Sequence, residues 1–268
     1  MIPVCARSIS LVPSPTNLPL QNRVNERLRP ASPPVMYQRW EELLFLHWAV
    51  EPGQVQRDLP DGLTVDTFKG AAWIGVVPFQ MRRVRPRFLP SVPWFSNFPE
   101  LNLRTYVVDS RGRPGVWFYS LDTPQPLANW IARRFFHLNY RLARFEIEQS
   151  AAAFRYQSSL RLAGGWDAPQ QYQWERRDAP FQAEPGSLEF FLVERYRLFA
   201  YDGACQQLFS GQVHHVPYSL QPVELSQYSK RLFALNQLPE PADGPVSVLA
   251  SAGVDVSVHP LGRVNLNK

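Results

Sequence analysis

Residues 98–108, FPELNLRTYVV, alternate as an extended strand does, with Leu101, Leu103, Thr105 and Val107 on one side and Glu100, Asn102, Arg104 and Tyr106 on the other. An acid, an amide and a guanidinium therefore stand in single file on an otherwise apolar strand. Such a stripe either faces water or lines an internal polar cavity, and only the second is a site. Apolar runs of strand length, cut by Gly, Pro, Asp and Ser, recur along most of the chain, which points to antiparallel sheets built largely from hairpins.

The segment LTVDTFKGAAWIGVVPFQM predicts a hairpin turning at Lys69-Gly70, and residues 98–123 predict a second one turning between Asp109 and Gly115. FEIEQSAAAFRYQSSLRL and YQWERR predict strands, and a third hairpin turns at Asp202-Gly203. WEELLFLHWAV reads as a helical turn running into a strand that ends at Val50, and VSVLASAGVDVSVHPLG as two short strands. After Pro124 and Pro126 the period becomes helical, with Leu127, Trp130, Ile131 and Leu138 on one face, Asp122 or Thr123 as cap and Pro124 in the first turn.

On that helix the wheel places Arg134 between Trp130 and Ile131 and Arg133 on the flank. An arginine aimed at a core needs a carboxylate, and Glu100, Asp122 and Glu194 are the candidates; the alternative is that Arg134 snorkels past the helix edge. FFLVERYRLF reads as a strand that again sets an acid and a base, Glu194 and Arg195, among apolar neighbours. Taken together, Glu100, Arg104, Arg133, Arg134, Glu194 and Arg195 point to a shared polar pocket more strongly than any one of them alone.

The first 35 residues carry seven prolines and no apolar period, so they are expected to be a disordered tail, with Met36 as a candidate natural start and residues 36–268 as one domain. Cys5 and Cys205 are the only cysteines, which argues against a disulfide framework or a cysteine metal site. No apolar run reaches membrane-spanning length, so a cytoplasmic protein without a membrane partner is expected. The net charge is +5, but 25 of the 28 basic residues are arginines scattered along the chain. Their densest cluster, MRRVRPRF with Arg82, Arg83, Arg85 and Arg87, falls in a predicted loop, and nucleic acid is a disfavoured partner. Phosphate-loop, dinucleotide, nucleophile-elbow and H-E-x-x-H signatures are absent, and His214 and His215 point to opposite faces of a strand. Neither a metal nor another cofactor is expected.

The ordered motifs LLFLHWAV, LPDGL, GAAWIGVVPFQM, FPELNLRTYV, GVWFYSLD, ARRFFHLNY and ERYRLF closely resemble those of the YqjF-like proteins, the domain of unknown function 2071. The resemblance runs from about Trp40 to GVDVSV, with a loose middle between Ala151 and Leu188; Asn139 stands where the family usually has proline. It implies kinship with the acetoacetate-decarboxylase-like superfamily: an α+β fold, mainly antiparallel β, forming a closed or nearly closed barrel or cone with one principal helix around a pocket. In that superfamily's decarboxylases a buried lysine forms a Schiff base with a β-keto acid. The resemblance implies Glu100 as the cavity acid and Arg133 as the helical arginine, whereas the wheel nominates Arg134.

No lysine lies between Lys69 and Lys230, so the imine nucleophile has no counterpart, and arginine cannot replace it. The expected function is binding of a small organic acid or carbonyl compound, with Glu100 as hydrogen-bond acceptor or general base. Asn102, Arg104, Asp122, Arg133, Arg134, Glu194 and Arg195 would form the ligand-binding set, and an activity, if present, would be a lyase or hydrolase without a Schiff base. The alternative is a non-catalytic interaction or structural protein whose charges form buried ion pairs. A binder requires a solvent-connected cavity lined by Glu100 and Arg104 with a polar group left unpaired; a structural role requires full pairing and a filled interior. A homo-oligomer remains open on sequence alone.

Overall fold

The computed structural model describes residues 18–150 and 153–265. Helix α1 (Leu20–Asn25) leads to the long strand β1 (Met36–Val50), helix α2 (Pro52–Gln56) and strands β2 (Leu63–Val65) and β3 (Ala72–Pro86). Helix α3 (Pro93–Ser96) precedes the hairpin of β4 (Phe98–Asp109) and β5 (Pro114–Thr123), after which α4 (Pro126–Phe135) crosses to β6 (Tyr140–Gln149). Strands β7 (Ala153–Leu162), β8 (Gly165–Trp166) and β9 (Gln170–Arg176) follow, then α5 (Leu188–Val193), β10 (Arg197–Asp202) and β11 (Gln207–His214). The chain continues through β12 (Leu220–Gln227), α6 (Arg231–Leu235), β13 (Ser247–Val258) and β14 (Gly262–Arg263). No described helix is long and apolar enough to cross a membrane.

The sheet curls back on itself. Strands β13, β1, β3, β4 and β5 pair antiparallel in that order, and β10 and β11 return from β5 to β13. The returning contacts are short, Leu198 and Phe199 on Val116 and Trp117, and Val213 and His214 on Val258 and Ser257, so the barrel is nearly closed. A second path from β5 through β6, β7, β9 and β12 to β13 wraps the outside of that barrel.

Between the two layers Leu44, Leu46, Leu101, Leu103, Tyr156 and Trp174 form one core, while Phe98, Tyr106, Phe190 and Leu192 belong to a second core inside the barrel. Strand β4 is thus buried on both faces. Its Leu101–Leu103 side supports the outer layer, and its Glu100–Asn102–Arg104 side faces into the barrel. Helix α5, whose Phe190, Phe191, Leu192 and Val193 are all buried, plugs one end.

Several expectations are corrected. FFLVERYRLF is helix α5 followed by a short connection into β10, because Ser187 caps Phe190 N at 3.1 Å and starts a helical turn in a run whose length suits either element. WEELLFLHWAV is strand throughout, its irregularity at Glu42 (φ 54°) being a bulge against β3. The two short C-terminal strands are one strand, β13, which stays continuous because Gly253 (φ 133°) passes so close to the Trp40 carbonyl that no Cβ would fit. Lys69-Gly70 does turn, but β2 pairs with β4 rather than β3.

Helix α4 starts at Pro126, with Gln125 rather than Asp122 or Thr123 at its cap. The hairpins turning at Asp109–Gly115 and at Asp202-Gly203 form as read, the first held by Asp109 Oδ1, which accepts from Arg111 N and Arg113 N at 3.0 Å each. Residues 1–17 of the proline-rich segment, including Cys5, lie outside the described residues. Residues 18–35 depart from a tail: α1 folds back on the barrel because Arg23 and Arg27 find buried carboxylates there, Asp66 and Glu194.

Candidate functional site

The barrel encloses a cavity of about 450 Å³ that reaches solvent, lined by side chains from β1, β3, β4, β5, β10, β11 and β13 and by one face of α4. Most of the lining is apolar, including Leu43, Val77, Phe79, Met81, Phe118 and Val213. The polar exceptions are concentrated on β4, where alternate residues point inward, with Tyr140, Arg195 and Tyr218 beside them.

Glu100 is 2% exposed. Its Oε2 accepts from Tyr140 Oη at 2.7 Å and its Oε1 from Asn102 Nδ2 at 3.4 Å. Burial raises the Glu100 carboxyl to about 7, against the lowering effect of the Tyr140 and Asn102 hydrogen bonds, with the nearby Asp122 charge adding to the rise. Burial first, and then the Glu100 charge, push the Tyr140 phenol well above its ordinary range. The phenol thus stays the donor. Tyr140→Phe is expected to raise the Glu100 pKa further above 7, read as the carboxyl carbon shift in an NMR titration; an unchanged midpoint would show that this hydrogen bond does not tune the acid.

Arg104 is the anomaly. It is 9% exposed, yet among the described residues no carboxylate lies within ion-pair distance of it. Its single hydrogen bond is from Nη2 to the Leu192 carbonyl at 3.4 Å, its Nε has no partner, and its guanidinium lies 5.7 and 5.8 Å from the Phe45 and Tyr106 ring centres. Two further buried polar atoms in the lining also lack partners: Asn102 Oδ1 and Arg195 Nη2. Burying an arginine without a counter-ion costs several kcal/mol. Below it, burial and then the Arg104 and Arg195 charges depress the His47 pKa, and His47 Nε2 lies 2.7 Å from Tyr106 Oη.

The other predicted residues divide. Arg195 lines the cavity but is committed to structure, donating to Asp66 Oδ2 at 2.8 Å and to the Phe191 carbonyl at 2.6 Å; desolvation lowers its pKa to about 10 even though Asp66 opposes the shift. Asp66 is shared with Arg23 at 2.6 and 2.7 Å, so one buried carboxylate holds α1 and the connection after α5 together. Asp66→Asn should therefore cost roughly 3–5 kcal/mol, the range for stripping a partner from a buried pair, measured by urea unfolding; a loss under about 1 kcal/mol would contradict the pairing.

Three expectations fail on geometry. Asp122 is fully buried but lies off the cavity, held by Arg141 at 2.7 and 3.1 Å. Glu194 points to the α1 side, taking Tyr218 N at 3.0 Å, the Tyr196 hydroxyl and Arg27 at 3.4 Å. Arg133 and Arg134 are both exposed, because α4 turns Ala128, Ile131 and Ala132 to the cavity and leaves Leu127 and Trp130 in solvent.

Tyr140 and Tyr218 were missed. Tyr140 reaches Glu100 only because the β5–α4–β6 crossover sets it beside Leu121, a long-range pairing with no local signal. In the arginine-rich segment Arg82 lies 3.6 Å from Glu41 and Arg83 3.6 Å from Asp255. Among the described residues no group of three or more His, Cys, Asp or Glu side chains is placed to hold a metal.

The fold is similar to that of acetoacetate decarboxylase from Legionella pneumophila, at TM-score 0.60 and 14% identity over 98% of both chains. It is also similar to the enduracididine biosynthesis enzyme MppR complexed with pyruvate, at TM-score 0.59 and 13% identity over 88% of this chain and 92% of that one. In sequence the chain is 40% identical to the uncharacterized protein YqjF of Bacillus subtilis (strain 168) over 190 residues, 71% of this chain and 76% of that protein. The pattern of DUF2071, described as an uncharacterized conserved protein, matches residues 37–255. The chain therefore belongs to the DUF2071, YqjF-like family.

Proposed function

We propose that this protein binds a small organic acid or carbonyl compound in the barrel cavity, with a ligand carboxylate on Arg104 and Glu100 serving as the proton acceptor or donor. The observation that carries this reading is the buried Arg104 guanidinium with an unpartnered Nε and no carboxylate of its own. A carboxylate would satisfy it by forked, charge-assisted hydrogen bonds, and Asn102 Oδ1 would accept from a hydroxyl or amide of the ligand. Glu100, shifted to about 7, exchanges a proton near neutrality, as a general acid or base requires.

Pyruvate in MppR, one of the structures similar to this one, supports a keto-acid-sized carboxylate as a starting probe. Imine chemistry does not follow. The cavity lining contains no lysine; Lys69 sits in a turn, and Lys230 donates to the Pro241 and Ala242 carbonyls at 2.6 and 3.1 Å. Any reaction is therefore a proton transfer by Glu100 on a non-covalently held substrate, of lyase or hydrolase type. A free, exposed Cys205 fits a reducing cytoplasm.

The structural alternative describes Asp66, Asp122 and Glu194 well, since each is paired within the protein. It leaves Arg104 unexplained. A thermal-shift screen of small carboxylates, keto acids and cyclic carbonyl compounds is the test, run on the wild type and on Glu100→Gln. A binder at 100 times its Kd stabilises by about 2.7 kcal/mol. Stabilisation of the wild type by acids is expected, with a changed response in Glu100→Gln; no acid shifting either protein would reject the proposal.

A further inference from the structure

Resting on that reading, we infer that the acid this cavity takes is a monocarboxylate with an extended apolar body, longer than a three- or four-carbon keto acid, bound carboxylate-inward. The lining residues that carry unpartnered polar atoms, Arg104, Asn102 and Arg195, belong to the side of the cavity next to α5, where Arg104 meets the Leu192 carbonyl. The opposite end is formed by Val84, Leu89, Val92, Phe95 and Ile131, with Gln125 Nε2 donating to the Trp94 carbonyl at 3.0 Å to join the α3 segment to α4.

Strand β4 measures the distance between the two ends. Phe98 and Arg104 both line the cavity six residues apart, and a strand rises about 3.3 Å per residue, so the wall between them is roughly 20 Å long. A short keto acid on Arg104 would fill a fraction of that length and leave Val77, Phe79, Met81 and Phe118 facing unfilled apolar space. Towards the other walls, Arg197 is paired with Glu26 and Ser210, and Gln38 accepts from Trp40 Nε1 at 2.8 Å. One anionic head and an apolar body are what the wall chemistry matches. The body passes Asn102 and Glu100, so a polar function carried several carbons from the carboxylate would meet the Glu100–Tyr140 pair.

The test is isothermal titration of the full chain with acetate, pyruvate, butanoate, hexanoate and octanoate, each below its micelle concentration, with octanamide and 1-octanol as uncharged counterparts. Each buried methylene contributes about 0.8 kcal/mol, so Kd is expected to fall by about fourfold per methylene across part of the series and then level off as the tail reaches the mouth. Octanoate should bind far more tightly than pyruvate, and the uncharged counterparts far more weakly than octanoate. Acids that all bind with one Kd regardless of length, or a preference for pyruvate, would overturn the extended body while leaving the carboxylate site intact. No binding by an acid of any length would reject the carboxylate site as well, and octanol matching octanoate would overturn the inward carboxylate.

Discussion

Arg104→Met is expected to raise the melting temperature of the ligand-free protein while removing its response to carboxylates. The two effects share one cause. Arg104 is buried beside Phe45 and Tyr106 with one long hydrogen bond and no carboxylate, so the folded chain carries an uncompensated desolvation cost. Methionine has a comparable apolar reach and no polar atom to satisfy. Relief of an unsatisfied buried donor is worth about 1–3 kcal/mol, and each kcal/mol shifts Tm by about 2–4 °C in a domain of this size.

Loss of a buried charge pair with the ligand costs about 2–5 kcal/mol, or roughly 30-fold to several thousand-fold in Kd. Calorimetric Tm and a carboxylate titration measure both sides. A destabilised variant that still binds acids would place Arg104 among the structural arginines. The trade between folding stability and binding is what a site, rather than a core contact, predicts.

Glu100→Gln should flatten a pH dependence of stability that the wild type shows between about pH 4.5 and 7. The folded-state pKa of Glu100, about 7, lies above its ordinary value of 4.5, so the folded protein holds this proton when the unfolded chain has lost it. The sign follows: stability is fullest below the lower value, falls as pH rises between the two, and stays reduced above the upper one. The difference amounts to on the order of 3 kcal/mol at 1.36 kcal/mol per unit. Burial lowers His215 to about 4 and depresses His47, and both act in the opposite sense, losing stability as pH falls below their ordinary range. The wild-type-minus-variant difference in urea unfolding isolates the Glu100 part. A difference that does not change with pH would show that the acid is not held protonated by burial.

The β4 stripe was legible because strand alternation needs no tertiary information: Glu100, Asn102 and Arg104 had to share a face once the strand was recognised. Which face was inside could not be read, since both are buried, one against Leu101 and Leu103 of the outer layer and one against the cavity. Helix α4 misled for a related reason. Of the apolar face the period predicts, Ile131 turns inward, but Leu127 and Trp130 are exposed and the smaller Ala128 and Ala132 face the cavity, leaving room that bulky residues would fill. FFLVERYRLF is ambiguous because a four-residue apolar run fits a buried strand or a buried helix, and the Ser187 cap that decides it stands three residues before the run. Asp122 had the right burial and the wrong partner. Its carboxylate is consumed by Arg141, which only the parallel β5–β6 pairing brings near.

The most direct test of the account is a crystal structure of the protein with an acid that stabilises it. The account predicts the ligand carboxylate within hydrogen-bond distance of the Arg104 guanidinium, with the rest of the molecule running along Asn102 and Glu100 inside the barrel. An acid bound elsewhere on the protein, with Arg104 still lacking a partner and the cavity empty, would contradict it.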